Sequence, residues 1–486
     1  MQSSKKFAFD VGITFLASVV SLPLGFVISV ALGRYLGAGD LGLYRMASTI
    51  YGIATLVAAM GIPAAMIKYV AEFKDDRTKF NQIVSSGVIT SLFLGIGFVA
   101  LFYFSSGIFT GIFDMPGLSG LLKILSPVFP FALVGGALLG LLNGLREMKK
   151  YAAATIIQSV LMVIVTVALI YWGFGVAGAV IGIILSSVGS CIFLIWICRE
   201  YFNITLEGYT QTTRKLLGFG SQIFGANAIN MINYQADIVL VGYFLTATDV
   251  GYYAVAVSLS RFLWLIPQAI QQITYPATSE YWAKNNHSAL QTIIDKSMKY
   301  TTCVLLPIGL GVGFFAKDII TMLFGGEFGY SVLPLRILII GTVINGAMQR
   351  PVGSILYSIG MPGLNLKIFA SAAMTNIILN LMLMPYLGIA GAAIATTVSF
   401  LLITFLILLY TTKMIKIIID LNWFIKIGFI AIMCIFIWFL LGKINYYFAG
   451  GMIVIIFFLI IWFYFLSKED KVYFLDMIKV VRYKMR

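Results

Sequence analysis

Apolar positions in this chain come in long unbroken runs, parted by short polar stretches, from one end to the other. They show neither the strict alternation of a half-buried strand nor the narrow stripe of a soluble helix. Runs of 18 or more residues with few or no charges recur, and each is enough to cross roughly 30 Å of hydrocarbon as a helix. Fourteen are predicted, at about 10–33, 41–67, 83–105, 121–144, 151–171, 174–197, 215–243, 250–275, 300–323, 331–358, 363–385, 388–411, 422–441 and 448–467. The first follows Lys5 and Lys6 as a secretory signal would. It is too long for one, lacks a cleavage pattern and precedes thirteen more, so it reads as a transmembrane helix. The pattern predicts an all-α polytopic membrane protein.

Composition agrees. Hydrophobic residues make up 60% of the 486 and charged residues 11%, against roughly a quarter charged in soluble domains. Of the 33 Lys and Arg residues, 25 fall in the termini or in loops on the same side. Only Arg34, Lys123, Lys317 and Lys443 lie on the opposite side, and Arg45, Arg261, Arg336 and Arg350 fall within spans. This asymmetry puts both termini in the cytoplasm of a multi-pass plasma-membrane protein. The net charge of +14 is then a topology signal, with anionic membrane lipid as its partner and no call for nucleic acid.

The chain repeats itself. "GRYLGAGDLGLYRMA" (33–47) matches "GYFLTATDVGYYAVA" (242–256) at an offset of 209, and "GVAGAVIG" (175–182) matches "GIAGAAIA" (388–395) at 213. Two segments in the same order at nearly equal spacing argue for a duplicated six-helix unit. An even helix count makes both copies enter the membrane from the same side, so their pseudo-twofold axis runs along the membrane normal. The expected layout is an N-lobe over 1–213, a C-lobe over 214–412, and two extra helices with a basic tail over 413–486.

Little else offers chemistry. Cys191, Cys198, Cys303 and Cys434 all sit in apolar runs and read as packing residues. His287, the lone histidine, lies in a polar loop. "GFGVAG" (173–178) imitates a dinucleotide fingerprint but joins two membrane helices, not a strand and a helix. The longest outward loop, about 106–120, leaves almost no platform for catalysis, so no enzyme and no cofactor are expected.

Charges at depth stand out instead. Of nineteen acids, Asp237 alone lies well inside a span, about 9 Å of helix rise from its outer end. Asn230, Asn233 and Asp237 recur at steps of three and four and share one face, which Asn227 extends. The following run answers with Arg261, Gln268, Gln271 and Tyr275. Interhelical hydrogen-bond glue explains the amides about as well as a wet cavity does, whereas full charges fit a cavity better. Arg45, Arg261, Arg336 and Arg350 spread over several depths. Snorkelling to headgroups would account for Arg45 and Arg336, but poorly for Arg261. Guanidinium groups suit phosphate because they stay charged when desolvated and pair with its oxygens. The residues predict a cleft for an anionic substrate, bound by Arg45, Arg261, Arg336, Arg350, Asn230 and Asn233. Asp237 is the candidate for proton or sodium coupling, or else for neutralising Arg261.

"ALGRYLGAGDLGLYRMASTIYGIATLVAAMGIPAAMIKYVAEF" (31–73), "NYQADIVLVGYFLTATDVGYYAVAVSLSRF" (233–262) and "PYLGIAGAAIATTVSF" (385–400) resemble the polysaccharide flippases. These are the Wzx-like branch of the multidrug/oligosaccharidyl-lipid/polysaccharide exporter superfamily. The resemblance implies twelve helices in two lobes, often with two more. It also implies translocation of a polyprenyl-(pyro)phosphate-linked oligosaccharide from the cytoplasmic to the outer leaflet by alternating access. Asp237 occupies a place where many relatives carry Asp. A monomer is expected, with a glycan polymerase or transferase of the same pathway as a candidate partner. The alternatives are a peptidoglycan-precursor (lipid II type) flippase and a multidrug or cation antiporter, which four intramembrane arginines against one acid disfavour.

Overall fold

The computed structural model describes residues 2–442, 445–467 and 470–471, and the side chains of Asn230 and Asn233 lie outside what is described. Among the described residues every regular element is helical. The first nine are α1 (Gln2–Ala59), α2 (Ile62–Phe73), α3 (Arg77–Phe113), α4 (Leu118–Leu125), α5 (Phe129–Gly144), α6 (Met148–Tyr171), α7 (Gly175–Cys198), α8 (Tyr209–Phe244) and α9 (Ala247–Phe262). There follow α10 (Leu265–Ala283), α11 (His287–Phe314), α12 (Ala316–Phe324), α13 (Val332–Ile344), α14 (Arg350–Ser358), α15 (Pro362–Ile415), α16 (Leu421–Leu441) and α17 (Tyr446–Ile460).

Nine helical stretches among the described residues are long and apolar enough to cross a membrane, and two bent helix pairs would raise this to eleven. Two of the nine far exceed one crossing. α1 is 58 residues and breaks at Gly37 (φ 82°), and α15 is 54 residues and breaks at Gly388 (φ 57°). Only glycine enters that backbone region without strain, so each break is written into the sequence. The 36-residue α8 fails the apolar test because of its polar stretch. Two of the helix starts at loops are capped by aspartates, Asp76 accepting from Lys79 N–H and Asp420 from Trp423 N–H, each at 3.1 Å.

The chain divides into two compact units. One comprises Met1–Phe262, Ile320–Pro334 and Leu366–Ser399. Part of its core gathers Ile62, Met66, Val70, Ile83, Leu138 and Leu141 from α2, α3 and α5. Gly140 of α5 lies so close to α2 that a Cβ there would stand 2.6 Å from Pro63 O. Without a hydrophobic drive between helices in lipid, such small-residue contacts supply the packing. The other unit comprises Leu263–Ile319, Leu335–Asn365 and Phe400–Arg486, and one of its cores joins α11, α16 and α17 through Leu310, Phe314, Ile427, Ile453 and Phe457. The four cysteines are free and buried, Cys191 and Cys198 in the first of these cores, Cys303 and Cys434 in the second. Outward faces carry large apolar side chains such as Phe104, Phe405 and Ile432, each at least 60% exposed. Water would not tolerate so much exposed apolar surface, and lipid does.

Candidate functional site

α8 carries a carboxylate two turns before its C-terminal end. Asp237 is buried, and its two oxygens are held by three other helical positions. Oδ1 accepts from Asn380 Nδ2 at 2.8 Å. Oδ2 accepts from Tyr253 Oη at 3.0 Å and from Thr396 Oγ1. Asn380 Nδ2 also donates to Asn376 O (2.9 Å) and to Asn376 Oδ1 (3.1 Å), while Asn380 Oδ1 is buried without a hydrogen-bond partner. The site therefore collects one negative charge and several neutral oxygens from α8, α9 and α15, with no cationic side chain within 4.0 Å among the described residues. Burying a lone carboxylate is costly, and three donors offset only part of that cost.

The proton inventory is ambivalent in a useful way. Thr396 has one hydroxyl proton but two acceptors, Asp237 Oδ2 and Ala392 O at 3.0 Å. With the carboxylate ionised, Thr396 donates to it. With Asp237 protonated, the carboxyl donates to Thr396, whose proton turns to Ala392 O. Either arrangement keeps Thr396 bonded to Asp237, and Asn380 Oδ1 stays without a partner.

Arg45, in the part of α1 after Gly37, donates from Nη2 to Ser29 Oγ and, at 3.0 Å, to Ser258 Oγ; its Nε is buried without a partner. Arg261, at the end of α9, donates from Nη2 to Tyr234 O at 3.0 Å. Arg45 thus reaches α9 at Ser258, one turn before Arg261, and Arg261 lies within electrostatic reach of Asp237. Neither arginine has a carboxylate oxygen within 4.0 Å among the described residues. Asp237 and Arg261 therefore share the unit without direct contact.

The structure brings Arg45, Arg261 and Asp237 together in one unit. Arg336 and Arg350 belong to the other. Arg336 donates from Nε to Gly313 O at 2.9 Å and lies over the Trp438 ring at 5.2 Å, engaged with α11 and α16. Arg350 follows a π-helical turn, Asn345–Gln349, and stacks over Trp264 at 4.6 Å. Asn230 and Asn233 lie outside the described side chains. Asn227 is exposed. Sequence reasoning missed Ser29, Tyr253, Ser258, Asn376, Asn380 and Thr396. The amide pair Asn376/Asn380, four residues apart in "MTNIILNLMLM", carried the same signal as the α8 stripe.

Residues 31–333 match the model of a family described as "Polysaccharide biosynthesis protein". The chain belongs to this family. Among its relatives, the probable low-salt glycan biosynthesis flippase Agl15 of Haloferax volcanii is 23% identical over 390 residues, 79% of each chain. The putative O-antigen transporter of Shigella flexneri is 21% identical over 408 residues, 82% of this chain and 94% of that one. Among solved structures, the lipid II flippase MurJ in an inward closed conformation superposes with a TM-score of 0.75 at 16% identity, covering 96% of this chain and 100% of the other. That likeness establishes the fold. This member of the polysaccharide biosynthesis family is a multi-pass helical membrane protein with the half-buried Arg45 and Arg261 and the buried Asp237 in one unit.

Proposed function

We propose that the protein is a flippase that moves a polyprenyl-(pyro)phosphate-linked oligosaccharide from the cytoplasmic to the outer leaflet by alternating access. The observation that carries this is the pair Arg45 and Arg261, two half-buried guanidinium groups, the first bonded to Ser258 one turn before the second, and neither with a carboxylate oxygen within 4.0 Å among the described residues. Such a pair is relieved by a diphosphate, which accepts bidentate hydrogen bonds and cancels both charges. The names of the relatives, glycan flippase and O-antigen transporter, support the cargo class. Arg336 and Arg350 enter as further headgroup contacts, and Asn230 and Asn233 as contacts to the sugar.

In this reading α1 and α15 each cross the membrane twice about their glycine breaks, and α8 crosses once despite its polar stretch. That yields fourteen crossings, arranged as lobes 1–213 and 214–412 with two helices added, and both termini cytoplasmic in the plasma membrane. Asp237 takes the coupling cation. A proton is supported by the switchable Thr396 hydroxyl, and sodium by the orphaned Asn380 Oδ1 among hard oxygen donors. The chain acts as a monomer that receives its cargo from, and hands it to, the glycan-assembling enzymes of its pathway.

The test is reconstitution in liposomes with fluorescent pyrophosphate-linked glycolipids. Arg261→Ala is expected to lower transport by about 10- to 100-fold, the worth of hydrogen bonds to a charged group. Equal transport by wild type and Arg261→Ala overturns the reading. A lipid II type cargo is the second reading, favoured by the fold likeness, and comparing the two glycolipids in this assay separates them.

A further inference from the structure

The two segments that match at the offset of 209 meet where each keeps a glycine. A Cβ on Gly42 of α1 would stand 1.7 Å from Ala247 O, and a Cβ on Gly251 of α9 would stand 2.0 Å from Ala38 O. Ala247 and Gly251 are the duplicates of Ala38 and Gly42 at the offset of 209, so the contact maps onto itself under the repeat. Backbone meets backbone here, with Leu41 and Val250 fully buried alongside. Next to the crossing α1 breaks at Gly37, and Glu327 Oε1 accepts from the freed Ala38 N–H at 3.2 Å. A second close approach lies farther along, where a Cβ on Gly61 would stand 2.1 Å from Gly220 O.

We infer that the Gly42–Gly251 crossing is the outer gate of the transport cycle and that Glu327 is its latch. This rests on the flippase reading and on cytoplasmic termini, which put the α1 break and the α8–α9 turn at the outer face. A joint of bare backbone seals tightly, because nothing larger than a hydrogen fits between the helices. It also parts easily, because no interlocked side chain must leave its rotamer first. The Glu327 carboxylate gives the closed position a defined anchor by occupying the N–H that the break sets free. On opening, that N–H passes to water. The Gly61–Gly220 contact lies toward the inner face and is made in the same structure, so both contacts are closed together.

The test is a cysteine pair, Gly39→Cys with Thr248→Cys, in a chain whose four native cysteines have been replaced. A Cβ at Gly39 would lie 3.5 Å from Thr248 Oγ1, within disulfide reach. Oxidation is expected to cut transport of the fluorescent pyrophosphate glycolipid at least tenfold, and reduction to restore it. Complete cross-linking with undiminished transport overturns the gate. Cross-linking rate is read independently of transport. Gly42→Ala is expected to slow it at least tenfold, and Glu327→Gln, which adds no bulk, by several-fold. An unchanged rate in Glu327→Gln removes the latch, and an unchanged rate in a folded Gly42→Ala removes the gate. Should the reduced pair and wild type both fail to move glycolipid, the flippase reading falls, while these two rates still decide whether the crossing opens.

Discussion

The duplicated halves differ most where the second half carries its charge. At the offset of 209, Asp237 corresponds to Ile28; at 213, Asn376, Asn380 and Thr396 correspond to Val163, Val167 and Ile183. Ile28 and Ile183 are buried, as Asp237, Asn380 and Thr396 are. Tyr253, whose hydroxyl reaches Asp237, has Tyr44 as its equally buried duplicate. One half therefore spends these positions on apolar packing and the other on a polar network around a carboxylate. Since apolar residues fill the duplicate positions, the polar set is not required for packing such a lobe. The costlier arrangement points to function.

The comparison can be broken at its charged member first. Asp237→Asn keeps the shape and removes the charge, so the dependence of transport on an ion gradient is expected to vanish while the protein stays folded. Gradient dependence that survives in this variant ends the coupling role. The reverse exchange follows: Ile28→Asp puts a carboxylate where none of the polar partners were built. It is expected to destabilise the protein by roughly 3 kcal/mol or more, read as a lowered unfolding midpoint in detergent. Wild-type stability would mean that this half is as wet as the other.

Smaller effects sharpen the picture. Thr396→Val removes one donor and the switchable hydroxyl, and is expected to cost about 1 kcal/mol, roughly fivefold, in the affinity for the driving cation. The control lies outside the spans, where Lys150 and Glu200 pair between the ends of α6 and α7. The Lys150 hydrogen bond holds the Glu200 carboxyl below the usual glutamate range, and Glu200 in turn raises Lys150. A depressed carboxyl stabilises the fold above its unfolded value, and that contribution is lost as pH falls through the folded one. Glu200→Gln is thus expected to change the melting temperature slightly at pH 7 and not at all at acid pH. A transport defect in that variant at neutral pH would show that exposed pairs matter as much as buried ones.

Much of the architecture was legible in the one-dimensional pattern. The predicted runs fall on helices, the glycines at 37 and 388 mark where long helices break, and the cysteines pack in cores. The site was legible only in part. Asp237, Arg45 and Arg261 stood out because charge in an apolar run is rare. Ser29, Tyr253, Ser258 and Thr396 did not, because hydroxyls are ordinary in membrane helices and acquire meaning only beside a charge.

Hydropathy is a property of each segment alone, so the sequence by itself determined that this chain enters a membrane, and it carries two pairs of matching segments at offsets of 209 and 213. Which side chains share a cavity depends on contacts between segments far apart in the chain, such as Asp237 with Asn380 and Thr396. Only the tertiary structure decided that Arg45 bonds to Ser29 and Ser258 and Arg261 to the Tyr234 carbonyl, and that Arg336 stacks on a tryptophan of α16 instead. Depth along a helix is written in the chain, but direction around it is settled by the neighbours it packs against.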